Sequence, residues 1–328
     1  MHLVAAPDKF RGSATAGQVA AAIAGAARQA GWSCDPVPVS DGGEGFLDVF
    51  SGRLRTAVVR GPLGQPVEAR WRMLDDDRTA VVETALASGL LLVGGAEGND
   101  PVAADTTGTG QLIAEAVKAG ARRVLVGVGG SATTDGGLGA LAALEPHSRL
   151  RGIEVVVACD VETRFVDAAP VFAPQKGASP AQVELLTRRL QRLAGIYGPV
   201  IAGQPGSGAA GGLAGGLATV GATLVSGFEV VADVLDLAAR IEEADLVVTG
   251  EGYLDEQSFA GKAVGGVAAL AAEAGVPLVV VAGDGEDPQP VRWRSLVARA
   301  GAERAWSEPL EVIAEIIADE LAEVGKGA

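Results

Sequence analysis

The two ends of this chain are written in one style and its middle in another, and that division limits the fold more than any other feature. Near the start, Leu3-Val4-Ala5-Ala6 is a short apolar run that predicts a buried strand. It stops at Pro7-Asp8-Lys9-Phe10-Arg11-Gly12-Ser13. A helix is expected over 16–30, with Val19, Ile23 and Ala27 on one face. A second strand over 35–39 ends at Ser40-Asp41-Gly42-Gly43-Glu44-Gly45, before a further helix. The last hundred residues return to this pattern. A helix over 228–240 leads to a strand over 246–249, then strands over 277–282 and 303–306 alternate with helices, the last over 310–324.

The middle is different. Alternating runs over 56–59, 67–73 and 79–83, separated by Gly61-Pro62-Leu63-Gly64 and Asp75-Asp76-Asp77, read as an antiparallel meander. Strands over 124–128 and 153–158 follow among helices. The economical architecture is α/β: a discontinuous Rossmann- or flavodoxin-like parallel-sheet domain, residues 1–57 and 230–328, interrupted by an inserted α/β domain, 58–229. Five parallel strands in flavodoxin-like order would bring Asp8 and Lys9 beside Glu251, at the carboxyl ends where such sheets bind ligands.

Charge narrows the partners. Formal net charge is 26 − 41 = −15, which argues against nucleic acid or an anionic membrane but not against a small anionic substrate in a local basic pocket. The two cysteines, Cys34 and Cys159, form no CxxC pair. The two histidines, His2 and His147, sit before a strand and in a turn, so histidine-centred catalysis is disfavoured. Without a signal-like or membrane-length apolar segment, a cytoplasmic location is expected. A homodimer is left open.

The chemistry concentrates in loops. Residues 244–262, ADLVVTGEGYLDEQSFAGK, place Glu251 between two glycines after a buried strand, then Asp255, then Gly261-Lys262 before a helical pattern. Asp8, Asp41, Glu251 and Asp255 all fall at expected strand ends. Phosphoryl transfer needs such carboxylates to hold Mg²⁺ and orient a hydroxyl, with cations to neutralise moving charge. Lys9, Arg11, Lys176 and Lys262 are the cations beside glycine-rich loops. Four loops, over 106–110, 129–137, 172–177 and 206–212, combine glycine with hydroxyls or cations ahead of helices, as polyphosphate binding requires. The bland reading of each loop is a capped turn, and of the acids a set of solvated strand ends. The loop over 206–211 also matches GxGxxG, so an NAD(P)-dependent oxidoreductase is the alternative, although the fingerprint needs strands on both sides.

These motifs, in order, resemble a family. Ala6-Pro7-Asp8-Lys9-Phe10-Arg11-Gly12-Ser13, Asp41-Gly42-Gly43-Glu44-Gly45, Thr107-Gly108-Thr109-Gly110 and Gly129-Gly130-Ser131-Ala132-Thr133-Thr134-Asp135-Gly136-Gly137 are similar to signatures of the bacterial two-domain glycerate kinases, type I. Pro174-Gln175-Lys176-Gly177, Gly208-Ala209-Ala210-Gly211-Gly212 and Thr249-Gly250-Glu251-Gly252 continue the set. The resemblance implies ATP- and Mg²⁺-dependent phosphorylation of D-glycerate in organic acid catabolism. On it, Lys9 and Arg11, with Asp8 and Ser13, would bind glycerate. Gly129, Gly130, Ser131, Asp135, Gly136, Gly208 and Gly211, with Lys176 and Lys262, would hold ATP. Asp41, Glu251 and Asp255, with Lys9, would be catalytic, and Asp41 and Glu251 would hold the metal. The sequence does not rank these acids, nor does it choose between 2- and 3-phosphoglycerate. Three departures stand out: Thr134 where the family usually has Asn, a short segment over 145–152, and Glu162-Thr163-Arg164-Phe165 and Ala173 in place of the usual residues. They leave open a shifted hydroxy-acid acceptor or a nucleotide-binding relative without turnover.

Overall fold

A computed structural model describes residues 1–259, 262–286 and 289–327. Its strands are β1 (His2–Ala5), β2 (Ser33–Pro36), β3 (Arg53–Arg60), β4 (Pro66–Met73), β5 (Thr79–Glu83), β6 (Arg123–Gly127), β7 (Glu154–Ala158), β8 (Thr223–Val225), β9 (Leu246–Leu254), β10 (Leu278–Gly285) and β11 (Trp293–Ser295). The chain forms two compact units, Met1–Asp41 with Phe228–Ala328, and Gly42–Gly227. The first boundary therefore lies at 41, not at 57. The reason is local: β3 pairs along its whole length with β4, and the 3₁₀ turn Phe46–Val49 before it buries Phe46 and Leu47 in the second unit. The return boundary falls at 227–228, close to the expected 230.

The first unit holds a five-stranded sheet, ordered β11-β10-β9-β1-β2. All its pairs are parallel, which is the flavodoxin-like order. Helix Ala16–Gln29 starts at a capping box between Thr15 and Gln18 and buries Val19, Ile23 and Ala27 completely. Those side chains pack with Leu3, Val248, Val281, Ile313 and Ile317 in one core. At about 25 cal/mol per Å² of apolar area, such burial is what holds the layers together. β2 is an edge strand, where Pro36 and Pro38 are tolerated; Val37 and Val39 still donate to Ala5 and Pro7.

Two expectations for this unit are corrected. The fifth strand is Trp293–Ser295; 303–306 lies inside helix Ala302–Ser307, which buries only Ala305. One-sided burial of a run of good helix formers suits a surface helix. The strand expected to stop at Thr249 also continues to Leu254, pairing Glu251 with Ala282 and Tyr253 with Asp284. Gly250 makes this pairing tight, since a Cβ there would lie 2.0 Å from the Val281 carbonyl.

The second unit holds a six-stranded sheet, β3-β4-β5-β6-β7-β8, antiparallel at β3-β4-β5 and parallel from β5 onward. Its core joins Trp71, Met73, Val82, Leu112, Ile113, Val126 and Leu213. A smaller cluster gathers Phe165, Leu186 and Leu190 under helix Pro180–Tyr197. The short segment over 145–152 is reduced to the 3₁₀ turn His147–Leu150, which still delivers the chain to β7 parallel to β6. Residues 107–110 are the first turn of helix Thr107–Lys118, not a loop. Before the GxGxxG run stands helix Pro199–Gly203, and after it come helix Ala209–Ala218 and the three-residue β8. The strand–loop–helix context of a dinucleotide fingerprint is absent there, which removes the basis of the oxidoreductase alternative. Among the described residues no helix is long and apolar enough to cross a membrane.

Candidate active site

At the carboxyl end of β1 the chain turns back on itself. The Asp8 N–H donates to the Gly250 carbonyl at 2.8 Å, tying the turn to β9. Phe10 and Ala14 exchange backbone hydrogen bonds of 2.9 Å, and the Ser13 hydroxyl donates to the Phe10 carbonyl at 3.2 Å. The turn thus fixes Asp8, Lys9, Arg11 and Ser13 on one rigid corner.

Lys9 sits between two carboxylates. Its ammonium is 3.6 Å from Asp8 Oδ1 and 3.4 Å from Asp41 Oδ1. Asp8 also accepts the Lys9 N–H at 2.6 Å. Asp8 is buried, and burial pushes its carboxyl up to about 6; Lys9 restrains the rise and Asp41 adds to it. Burial works against the charge on Lys9, yet Asp8 and Asp41 outweigh it and hold the ammonium above its usual range. Its charge is therefore already compensated. Arg11 is the contrast. It is exposed, and among the described residues its guanidinium makes no ion pair or hydrogen bond. A free guanidinium beside such a cluster is suited to a carboxylate, which it can grip with two parallel hydrogen bonds.

Glu251 projects from β9 in the same unit. Burial pushes it up to about 6, the Ser258 hydroxyl and Lys262 restrain the rise, and Asp8 and Asp255 add to it. Among the described residues its buried Oε1 has no hydrogen-bond partner. Asp255 has a different task. Its Oδ1 accepts the Ser258 N–H at 3.0 Å and the Ser258 hydroxyl at 3.2 Å, capping the 3₁₀ turn Glu256–Phe259. Lys262 stands at the N-cap of helix Ala263–Ala274, and Gly261 lies outside the described residues.

The second unit carries the glycine loops. Gly129 is half-buried and Gly130 exposed just beyond β6. Lys176 is 4% exposed, and its ammonium donates to the Ser131 hydroxyl at 2.9 Å and the Thr133 carbonyl at 2.6 Å. Burial pulls it down to about 7, with Asp135 opposing. The other proposed ATP ligands face inward. Asp135 Oδ2 accepts from the Thr106 N–H, the Thr106 hydroxyl and the Gly139 N–H, and Oδ1 accepts from the Gly137 N–H. Both oxygens thus serve to join helix Thr107–Lys118 to helix Leu138–Ala143. Gly136, Gly208 and Gly211 are buried. Ala210, Gly211 and Gly212 form a left-handed stretch, and a Cβ on Gly211 would lie 2.1 Å from the Thr133 carbonyl. These residues shape the loop over 129–137 from behind. Thr134 is fully buried, and among the described residues its hydroxyl has no hydrogen-bond partner.

Two side chains were not singled out from sequence. Glu83 ends β5, buried, and accepts the N–H groups of Gly45 and Leu47. Its signal was a lone carboxylate closing an otherwise apolar, buried run. Trp306, 65% exposed, lies against Gly12 in the turn after β1. His2 and His147 bond to Ser33 and to the Leu141 carbonyl, apart from these groups.

A family model described as the glycerate kinase family matches residues 3–147 and 145–301. The glycerate kinase of Bacillus subtilis (strain 168) is 38% identical over 325 residues, covering 86% of this chain and 85% of that protein. The glycerate 2-kinase of Escherichia coli (strain K12) is also 38% identical, with the same coverage. A crystal structure from Salmonella typhimurium LT2, titled provisionally as glycerate kinase 2, superposes with a TM-score of 0.86 at 32% identity, covering 100% of this chain and 99% of the other.

Proposed function

The chain belongs to the glycerate kinase family, and from that premise we propose that it transfers the γ-phosphoryl group of ATP to a hydroxyl of D-glycerate. The observation that carries this reading is the corner at β1, where an uncompensated Arg11 stands beside an ammonium held between Asp8 and Asp41. Arg11 grips the glycerate carboxylate. Lys9 orients Asp41, which accepts the proton of the attacking hydroxyl. We take the 2-hydroxyl as the acceptor, by analogy with the glycerate 2-kinase of Escherichia coli.

Gly129, Gly130 and Ser131 offer backbone and hydroxyl donors to the nucleotide phosphates, and Lys176 holds them in place through Ser131 and Thr133. Lys262, at a helix start, adds a cation. Asp135, Gly136, Gly208 and Gly211 shape that loop instead of meeting the ligand. Magnesium fits this residue set in one respect: Glu251 offers a buried oxygen with no donor, and Mg²⁺ takes one or two carboxylates beside phosphate and water. Glu251 would hold such an ion, which would neutralise charge on the phosphates. Asp41 Oδ1, engaged with Lys9, serves better as base than as metal ligand.

A coupled ADP assay tests the reading. With Mg-ATP, D-glycerate should release ADP far faster than glycolate or L-lactate; equal rates with all three, or ADP release only without D-glycerate, would refute it.

A further inference from the structure

Glu83 is 2% exposed and sits at the last position of β5, paired with Gly127 at the end of β6. Burying a carboxylate is costly unless its oxygens are satisfied. Here each oxygen takes one backbone donor: Oε1 accepts the Gly45 N–H at 3.1 Å and Oε2 the Leu47 N–H at 2.9 Å. An amide in its place could accept only one of the two and would turn its own donors on the other. Burial pushes Glu83 above the usual carboxylate range, with these two donors holding it back.

The segment so held matters because of what it touches. Residues 42–47 begin directly after Asp41 in the chain. They cross the carboxyl ends of β6 and β7 in backbone contact. The Gly129 N–H donates to the Gly42 carbonyl at 3.3 Å. A Cβ on Gly129 would lie 2.4 Å from Gly43 Cα, and one on Gly42 would lie 2.8 Å from the Ala158 carbonyl. Phe46 packs on Gly127 and, edge to face, on Phe50. No side chain separates this segment from the start of the 129–131 loop, so a shift in one is a shift in the other.

We propose that Glu83 is a positioning residue for phosphoryl transfer: its two oxygens fix Gly45 and Leu47, and through them hold the backbone of residues 42–43 against Gly129. Glu83 touches no substrate. Its effect is on the geometry of the loop read above as facing the phosphates and of the chain leaving Asp41, so the inference rests on that reading. A misplacement of about 1 Å at such a site costs up to about a hundredfold in rate.

The test pairs two readouts on Glu83→Gln. Amide exchange followed by mass spectrometry should show residues 42–50 exchanging at least about tenfold faster than in the wild type. Steady-state kinetics should show kcat reduced by about tenfold or more. Circular dichroism and the melting temperature report whether the fold is kept. Faster exchange with unchanged kcat and KM would overturn the positioning role and leave Glu83 a stability residue. Unchanged exchange would overturn the clamp itself. If Glu83→Gln does not fold, Glu83→Asp keeps the charge but withdraws it by one methylene, and the same readouts decide. A wild type that releases no ADP with D-glycerate defeats the functional reading, and the positioning role with it; the exchange result then reads the clamp alone.

Discussion

The Lys176 ammonium donates to the main-chain carbonyl of Thr133 at 2.6 Å, and among the described residues no carboxylate is bonded to it. Burial pulls this lysine down to about 7, against 10.5 for an ordinary lysine. Between those values the unfolded chain binds the proton and the folded chain does not. Stability should therefore rise with pH from about 7 to about 10.5, by up to ~1.4 kcal/mol per pH unit from this group. In Lys176→Met that component disappears. Urea unfolding of both proteins at pH 7 and pH 9 checks it; identical pH slopes would show that Lys176 is not held in this way.

Glu251 and Asp255 should separate cleanly. On the proposed role of Glu251 as metal ligand, its replacement by Gln should lower kcat by about 10²-fold or more. In the wild type kcat/KM should climb as pH rises through about 6, where Glu251 and Asp8 lose their protons. Asp255→Asn should cost mainly stability, about 1 kcal/mol, by weakening the cap on Ser258. A larger rate loss in Asp255→Asn than in Glu251→Gln would reverse these assignments.

The proposed role of Arg11 in gripping the acceptor carboxylate has its own test. Arg11→Met should raise the KM for D-glycerate by about tenfold or more, the worth of a charge-assisted hydrogen-bond pair. The KM for ATP and the melting temperature should stay near wild type, because among the described residues none hydrogen-bonds or ion-pairs with the guanidinium. An unchanged KM for glycerate would move the carboxylate site elsewhere.

Gly211 should tolerate no side chain. Its φ is +66° and a Cβ would meet the Thr133 carbonyl at 2.1 Å. Gly211→Ala should lose about 3 kcal/mol or more of stability, through strain and the displaced loop. A thermal melt within a degree of wild type would show that the loop gives way.

Much of this was legible in the chain because the signals were local. The run at Leu3 to Ala6, the helix face of Val19, Ile23 and Ala27, and the flavodoxin-like order of the first four strands of that sheet followed from burial periodicity and the rules of parallel sheets. The same topology predicts Asp8 and Lys9 beside Glu251, and β1 does pair with β9, with Asp8 acting on Glu251. What was missed depended on contacts distant in sequence. That backbone or side chains from other segments fill the space beside the glycines at 108, 136, 208 and 211 cannot be read from their motifs. The four donors to Asp135, from Thr106, Gly137 and Gly139, likewise cannot be read from a motif. The strand at Trp293 was hidden because an edge strand carrying Arg294, paired to the buried Glu320, shows no apolar run.

The measurement that bears most directly on the central claim is phosphorus NMR of the product formed from Mg-ATP and D-glycerate. Transfer to the 2-hydroxyl predicts ADP and a new phosphomonoester signal split into a doublet by the single proton on its carbon. A triplet would place the phosphate on the 3-hydroxyl and correct the acceptor atom. Inorganic phosphate alone, with no ester signal, would contradict the kinase account.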